Sequence, residues 1–367
     1  MKSCDVAIVG AGLAGLYAAH LLNRAGRDFL LIEARDRAGG RILSADAHGL
    51  PSDDGFDLGP SWYWPMMQPA MTSLVTELNL TAFAQNGDGD VVFERMSREA
   101  PRRFSPQEQD STSMRLAGGT AAIVRALLAK LPADRILLAN TVTSMNLEES
   151  AIRLTVQGEQ GHPKQIEAHH VIVALPPRLL EASVTFDPPQ QAATSGRWRD
   201  TPTWMAPHAK FFAVYATPFW RSAGLSGTAQ SMVGPMVEIH DATTASGKAA
   251  VFGFLGVPAE QRAAAGDDVL KNACIEQMAR LFGPAARNPV ATLLKDWAAD
   301  ALTATKADLT AGGHPVIMND AWVTGPWRER LSLAGSETSP SEPGYLSGAI
   351  TAAQRTVAAY LSNQEIR

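Results

Sequence analysis

The sequence predicts an α/β fold of two domains, and three observations carry that expectation. A strand, a glycine-rich turn, a helix and a second strand follow one another between Asp5 and Glu33. A short strand, Ser332 to Gly335, leads into another glycine-rich helix start near the far end of the chain. Between them, apolar strands of a separate sheet, Phe211 to Tyr215 and Val251 to Leu255, come after a polar, proline-rich stretch at 187–200 that reads as a domain crossing.

The elements are justified in order. Asp5-Val-Ala-Ile-Val-Gly10 is apolar on both faces, as a central parallel strand requires. Leu13 to Arg24 carries apolar residues at helical spacing with the small residues Gly15 and Ala18, and Gly26 ends it. Asp28 to Glu33 is the second strand. Residues 41–115 read as loop and short helix, with an aromatic cluster at Trp62-Tyr-Trp64. A helix over Ala121–Leu131 precedes short strands near Ile136–Leu138, Val142–Leu147 and Ile152–Val156, the pattern of a β-meander. Val171 to Leu175 is another buried strand, stopped by Pro176-Pro177. Asp267–Phe282 and Gly348 to Leu361 read as helices.

Composition narrows the function classes. The chain has 367 residues, room for one large or two ordinary domains, and is 46% hydrophobic and 19% charged, as expected of a chain that buries a sizeable core. Its 32 basic and 37 acidic residues leave a net charge of −5, which argues against nucleic-acid binding. Two cysteines, Cys4 and Cys274, cannot form a disulfide framework and lie in no metal-binding spacing, so they are expected as free thiols in a reducing cytoplasm. The apolar run Val6–Ala19 contains patterned glycines after Asp5, unlike a signal peptide, and no stretch of 18 uninterrupted apolar residues predicts a membrane span.

Gly10-Ala11-Gly12-Leu-Ala14-Gly15 is a G-x-G-x-x-G placed between strand and helix, the context that gives the motif meaning. Gly10 permits the tight turn, Gly12 lets the backbone approach a pyrophosphate, and Gly15 lets the helix pack against the strand. The helix N-terminus offers free N–H groups to phosphates. Glu33, at the end of the second strand, is placed to accept hydrogen bonds from ribose hydroxyls. A dinucleotide is the expected ligand.

Glu33-Ala34-Arg35-Asp-Arg-Ala-Gly39-Gly40-Arg41 then continues the motif. Here the sequence resembles the flavin-containing amine oxidase superfamily, in a short, monoamine oxidase-like form, which carries E-A-x-x-R-x-G-G-R at this place. The resemblance implies a glutathione-reductase-like FAD-binding domain, over 1–62, 112–190 and 310–367, with a discontinuous α+β substrate domain over 63–111 and 191–309. Leu333-Ala-Gly335-Ser336-Glu337-Thr338 resembles the family's A-G-T/S-E-T strand, and Gly344-Tyr345-Leu346-Ser-Gly348-Ala349 its G-Y-M-x-G-A helix start. Gly335, Ser336 and Glu337 would then hold flavin phosphate or ribityl oxygens, with Leu346 and Ala349 against the isoalloxazine. Phe56-Asp-Leu-Gly59-Pro60-Ser61-Trp62 resembles the D-L-G-x-x-W element near the flavin, and Leu116-Ala-Gly-Gly-Thr120 the family's G-G-M/T. Val142 sits where the family contacts adenine. Trp297 sits where relatives place a flavin-side tryptophan, ordinary core being the alternative.

On the substrate side, Pro207-His-Ala-Lys210-Phe-Phe resembles the strand that carries a flavin-side lysine. The resemblance puts the Lys210 ammonium on a water beside the flavin N5; the plain alternative is the wet face of an edge strand. Tyr345 would be one wall of an aromatic cage for the substrate amine. The loop that carries the second wall reads Gly312-Gly313-His314-Pro315, so that wall is missing, with Trp322, Trp62 and Trp64 as replacements; the cysteine of covalent flavin attachment is missing too. FAD is therefore expected to be non-covalent. The stretch after Gly59 contains no arginine of the kind that holds an amino-acid carboxylate. His208, His240 and His314 are set aside as structural.

The expected activity is oxidation of an amine C–N bond to an imine, with O2 as acceptor and hydrogen peroxide as product. The rivals are a desaturase or isomerase of the same superfamily acting on a C–C bond, and a non-catalytic FAD-binding protein. The short 63–115 segment implies a more open substrate site or one completed by a second subunit, as in a dimer.

Overall fold

The structure is a computed structural model that describes residues 2–105, 113–158, 161–310, 313–318 and 320–365, without the side chain of Glu365. Gly312, one of the residues singled out above, lies outside the described residues. The first sheet begins with Lys2–Val9, whose Val6, Ala7 and Ile8 are wholly buried. It pairs in parallel with Phe29–Ile32 on one side and with Pro163–Val173 on the other. The strand order is Thr185–Asp187, Asn140–Leu147, Ile152–Gly158, Pro163–Val173, Lys2–Val9, Phe29–Ile32 and Ile136–Leu137, with Leu331–Leu333 lying in parallel beside Val171 to Val173.

Helices Leu13–Arg24, Ala121–Leu128 and Leu346–Glu365 cover one face of this sheet; Leu16, Leu22, Ile123, Leu127 and Ile350 share one core. On the opposite side Trp198, Trp322 and Trp327 share a core with Val142, Met145, Ile152 and Leu154 of the sheet's own meander strands. Burial of such side chains contributes on the order of 1.5–3 kcal/mol each.

The second sheet runs Ala291–Asp296, Ala209–Tyr215, Ala249–Leu255, Met236–Asp241, Leu225–Ser231, Asp90–Glu94 and Arg102–Phe104. Ala209–Tyr215 is an inner strand, antiparallel to both neighbours, and all seven of its residues are buried. Asp267–Phe282 packs on this sheet through Leu270, Cys274 and Met278.

Three expectations are corrected. Val171 to Leu175 is the end of an eleven-residue strand, Pro163–Val173, whose first half is hidden from sequence reading by Lys164, Gln165, Glu167 and His169. Part of 187–200 is the helix Ala192–Asp200, held by Trp198, whose ring is wholly buried and whose Nε1–H donates to the Trp322 carbonyl at 2.8 Å. Residues 41–115 contribute Asp90–Glu94 and Arg102–Phe104 to the second sheet, because a two-to-five-residue strand is too short to show a period.

Candidate active site

The cavity that matters, about 590 Å³, runs from the first glycine-rich turn to the second sheet. At its first end Gly12 precedes Leu13–Arg24 with no side-chain cap, so the leading N–H groups of the helix face the groove. A Cβ on Gly12 would meet nothing within 4 Å, whereas one on Gly15 would lie 1.8 Å from the Gly10 carbonyl oxygen. The first glycine is open to a ligand; the last is required by packing. Gly39 N–H donates to Ala11 O at 2.8 Å and a Cβ on Gly40 would sit 3.3 Å from Gly12 Cα, so the second glycine pair stacks directly on the first turn. Glu33 is buried, accepts the N–H groups of Ala11 and Arg35 at 2.7 and 2.9 Å, and lines the groove.

Arg41 joins the two ends of the chain at this groove. It donates to Ser336 Oγ and to the Trp204 carbonyl, each at 3.0 Å, and lies 2.7 Å from the carboxylate of Glu337, whose side chain is wholly buried. A Cβ on Gly335 would sit 2.4 Å from the Leu175 carbonyl oxygen, so the Leu331–Leu333 strand can approach only through glycine.

Below the groove, Asp57 Oδ1 accepts from Ser44 Oγ at 2.7 Å, Thr120 N at 2.8 Å and Thr120 Oγ1 at 2.9 Å. A Cβ on Gly119 would collide with Ser44 Oγ at 2.3 Å, which is why the Gly-Gly-Thr element is needed here. Burial raises the Asp57 carboxyl above its usual range, opposed by the charge of Arg115, the Ser44 and Thr120 bonds and the charge of Lys210. Lys210 Nζ donates to the carbonyls of Asp57 and Gly59 and to Ser61 Oγ, at 3.2, 2.5 and 2.9 Å, and sits 4.5 Å from the Phe252 ring centre. Burial lowers its pKa to about 7, against the pull of Asp57. Lys210 thus lines the cavity with its Nζ held by three oxygens of the chain.

The far end is aromatic. Tyr345 lies between Trp64, Trp204 and His314, with ring centres 6.4, 6.3 and 4.9 Å away. Trp204 and His314 are 4.0 Å apart. Gly344 has φ +87°, and a Cβ on it would touch Trp204 Cβ at 2.6 Å, so glycine is doubly required before Tyr345. Trp62, Phe254 and Glu238 complete this end.

The sequence profile of the flavin containing amine oxidoreductases matches residues 88–361, and that of the NAD(P)-binding Rossmann-like domain matches residues 8–78. The chain belongs to the flavin containing amine oxidoreductase family. The putative flavin-containing monoamine oxidase AofH of Mycobacterium tuberculosis is 27% identical over 96% of each chain. The L-amino acid dehydrogenase of Synechocystis is 23% identical over 95% of this chain and 93% of its own, and the putrescine oxidase of Kocuria rosea 23% over 98% and 97%. Among solved structures, putrescine oxidase bound to putrescine superposes with TM-score 0.82 at 21% identity over 98% of this chain and 99% of that one. Cyclohexylamine oxidase from Brevibacterium oxydans does so with TM-score 0.80 at 20% identity over 99% of each.

The flavin of this amine oxidoreductase is FAD, and the groove fits it. A diphosphate would meet an uncapped helix start at Gly12, a ribose would meet the Glu33 carboxylate, and the remainder of a long dinucleotide would have one continuous channel to the aromatic end.

Most of the sequence-derived residues fall into two groups, with Val142 in neither. Gly10, Gly12, Ala14, Glu33, Arg35, Gly40, Arg41, Gly59, Pro60, Ser61, Trp62, Lys210, Trp297, Ser336, Tyr345, Leu346 and Ala349 line this one cavity. Ala11, Gly15, Gly335 and Glu337 act from behind the wall through the contacts given above, and Ala34 also lies off it. Val142 is buried in the core near the Glu33 end, two residues past Asn140, whose N–H donates to the Glu33 carbonyl. Trp297 lines the cavity and donates to the Leu58 carbonyl at 3.0 Å. Of the three tryptophans offered as the missing wall, Trp322 belongs to the core of the first sheet and Trp62 packs on Phe252 and His240; Trp64 stands beside Tyr345. Sequence reading missed Trp204, Phe254 and Glu238, and it set aside as structural His208, which lines the cavity. Trp204 lies four residues past the 187–200 crossing, and no sequence motif marked it.

Proposed function

We propose that this amine oxidoreductase oxidises the C–N bond of a small primary amine to an imine, with O2 as acceptor and hydrogen peroxide as product. The observation that carries the reading is one cavity whose dinucleotide groove runs without a break into the walls formed by Tyr345, Trp204 and Trp64. The substrate α-C–H bond breaks and leaves as hydride while the nitrogen lone pair forms the C=N bond; the iminium then loses a proton. When bound, FAD would supply the two-electron acceptor for this hydride, with O2 as the final acceptor. The aromatic walls favour an amine nitrogen and exclude water. Below about pH 7 the Lys210 ammonium would supply positive charge at the cavity wall, where negative charge would develop on oxygen.

Amines are favoured over amino acids by the cations on the cavity wall. Arg35 is paired with Asp300 at 2.8 Å, Arg41 with Glu337, and Lys210 with its three oxygens, so among the described lining residues no cation is left for a substrate carboxylate. FAD is held without a covalent bond, since Cys4 and Cys274 are buried in the two sheet cores away from this cavity. Two buried free thiols also support a cytoplasmic setting. No helix among the described residues is long and apolar enough to cross a membrane.

The test is anaerobic bleaching of the flavin absorption by a panel of monoamines, diamines and amino acids, followed by a peroxide assay in air. Bleaching by amines with peroxide release is expected. Bleaching without peroxide would make the protein a dehydrogenase; no bleaching by any amine, with FAD still bound, would overturn the amine reading.

A further inference from the structure

A second cavity, about 490 Å³, lies on the outer side of Trp64 and Tyr345. Those two side chains line both cavities, so their rings stand as a partition between the outer space and the flavin groove. Trp64 is anchored there: its backbone N–H donates to Gln68 Oε1 at 3.2 Å, and the Gln68 side chain is itself buried on the outer wall. His314 faces the outer side of Tyr345, and the rest of the wall is largely apolar, including Met67 and Ile317.

Among the described residues, one charged side chain lines this outer cavity, Glu342. It is half-buried, and its carboxylate has no hydrogen bond or ion pair with any described residue. Its backbone, by contrast, is held on both sides: the N–H donates to Ser339 Oγ at 3.3 Å and the carbonyl accepts from Tyr345 N at 3.3 Å. A carboxylate without a counterion, fixed on a partly enclosed apolar wall beside two aromatic rings, is costly unless a cation arrives to join it. The chemistry that satisfies it is an organic ammonium: the charge goes to Glu342, the alkyl surface to the rings and to Met67 and Ile317.

We propose that the outer cavity is a second binding site, for the protonated form of an aliphatic amine, with Glu342 as its anion. The proposal rests on the amine-oxidising reading given above and extends it: a free alkylamine is a cation in neutral water, with a pKa near that of lysine, about 10.4. Glu342 captures that cation one ring away from the groove, and Trp64 and Tyr345 separate capture from chemistry.

The experiment uses the FAD-loaded protein and two probes of equal shape, choline and its uncharged isostere 3,3-dimethylbutan-1-ol, with binding measured by calorimetry. Neither probe carries an amine that can be oxidised. The native protein should bind choline at least tenfold more tightly than the isostere, and Glu342→Gln should abolish the difference while leaving flavin content and isostere binding as they were. Glu342→Gln should also lower kcat/KM for amine substrates about tenfold while the limiting rate of flavin reduction falls less than threefold. A native protein that does not distinguish the probes, or a Glu342→Gln variant that still does, overturns the site. Failure of every amine to reduce the flavin, with choline binding still dependent on Glu342, would instead sink the enzymatic reading and leave the site standing.

Discussion

Arg41 and Glu337 meet at 2.7 Å from opposite ends of the chain, and the same guanidinium also donates to Ser336 Oγ and to the Trp204 carbonyl. The first glycine-rich turn, the last one and the loop that carries Trp204 are thus fastened at one point of the FAD groove. Arg41→Ala strands the buried Glu337 carboxylate. Removing one partner of a buried pair costs on the order of 3–5 kcal/mol, and the lower end applies because the Arg41 side chain is 27% exposed. The variant is expected to lose flavin on dialysis and to melt earlier; Arg41→Ala with Glu337→Gln should regain much of the melting temperature but not the flavin. A double variant no more stable than the single one would show that the pair does not set stability.

The Glu33 carboxylate accepts the Ala11 and Arg35 N–H groups, and a ribose hydroxyl would be its third partner. Glu33→Ala is expected to keep its fold and to raise the FAD dissociation constant ten- to a hundredfold, since each charge-assisted bond contributes about 1.5–3 kcal/mol. Flavin occupancy after dialysis measures it. An occupied variant would mean that the ribose is held elsewhere.

The pKa of Lys210 gives a pH dependence with a definite sign. Burial holds it at about 7 in the folded chain, against 10.5 for a free lysine. Between those values the unfolded chain binds the extra proton, so this group's contribution to stability rises from about pH 7 to 10.5. The charge in the cavity follows the opposite course, present below about 7 and lost above it. Flavin reoxidation by O2, followed by stopped flow, should therefore slow as pH rises through about 7. Lys210→Met should lack that step and reoxidise about 100-fold more slowly at low pH, the value of a preorganised charge being about 2.7–4 kcal/mol. Amine-driven reduction should change far less. A pH-independent native rate would remove Lys210 from the oxygen reaction.

Acid precipitation should leave the flavin in the supernatant, because neither cysteine lines the cavity. Yellow colour in the pellet would direct attention to His314, whose ring lies 4.9 Å from that of Tyr345.

Trp204→Ala removes the ring that backs both His314 and Tyr345. KM for amines should rise about tenfold, one decade per 1.36 kcal/mol, with a smaller change in limiting flavin reduction. An unchanged KM would exclude Trp204 from the substrate wall.

The sequence by itself determined the FAD half of this protein. The spacing Gly10, Gly12, Gly15 and Glu33, the pair Gly39-Gly40 and the run Gly335 to Glu337 are local requirements of turns and close backbone approaches, and such requirements are written in neighbouring residues. Helix Leu13–Arg24 has the limits its pattern predicts for the same reason. On the substrate side the sequence named Tyr345, Lys210 and Trp64, but their arrangement was decided by the tertiary structure. Trp204, Trp64, His314 and Tyr345 come from separate loops and meet only when the two sheets are folded against each other. Whether Lys210 faces water or a core depends on which strands flank it, and Ala249–Leu255 and Ala291–Asp296 make its strand an inner one. The polar first half of Pro163–Val173 is a strand because Ile152–Gly158 and Lys2–Val9 supply its hydrogen bonds, a long-range cause that no window of local sequence contains.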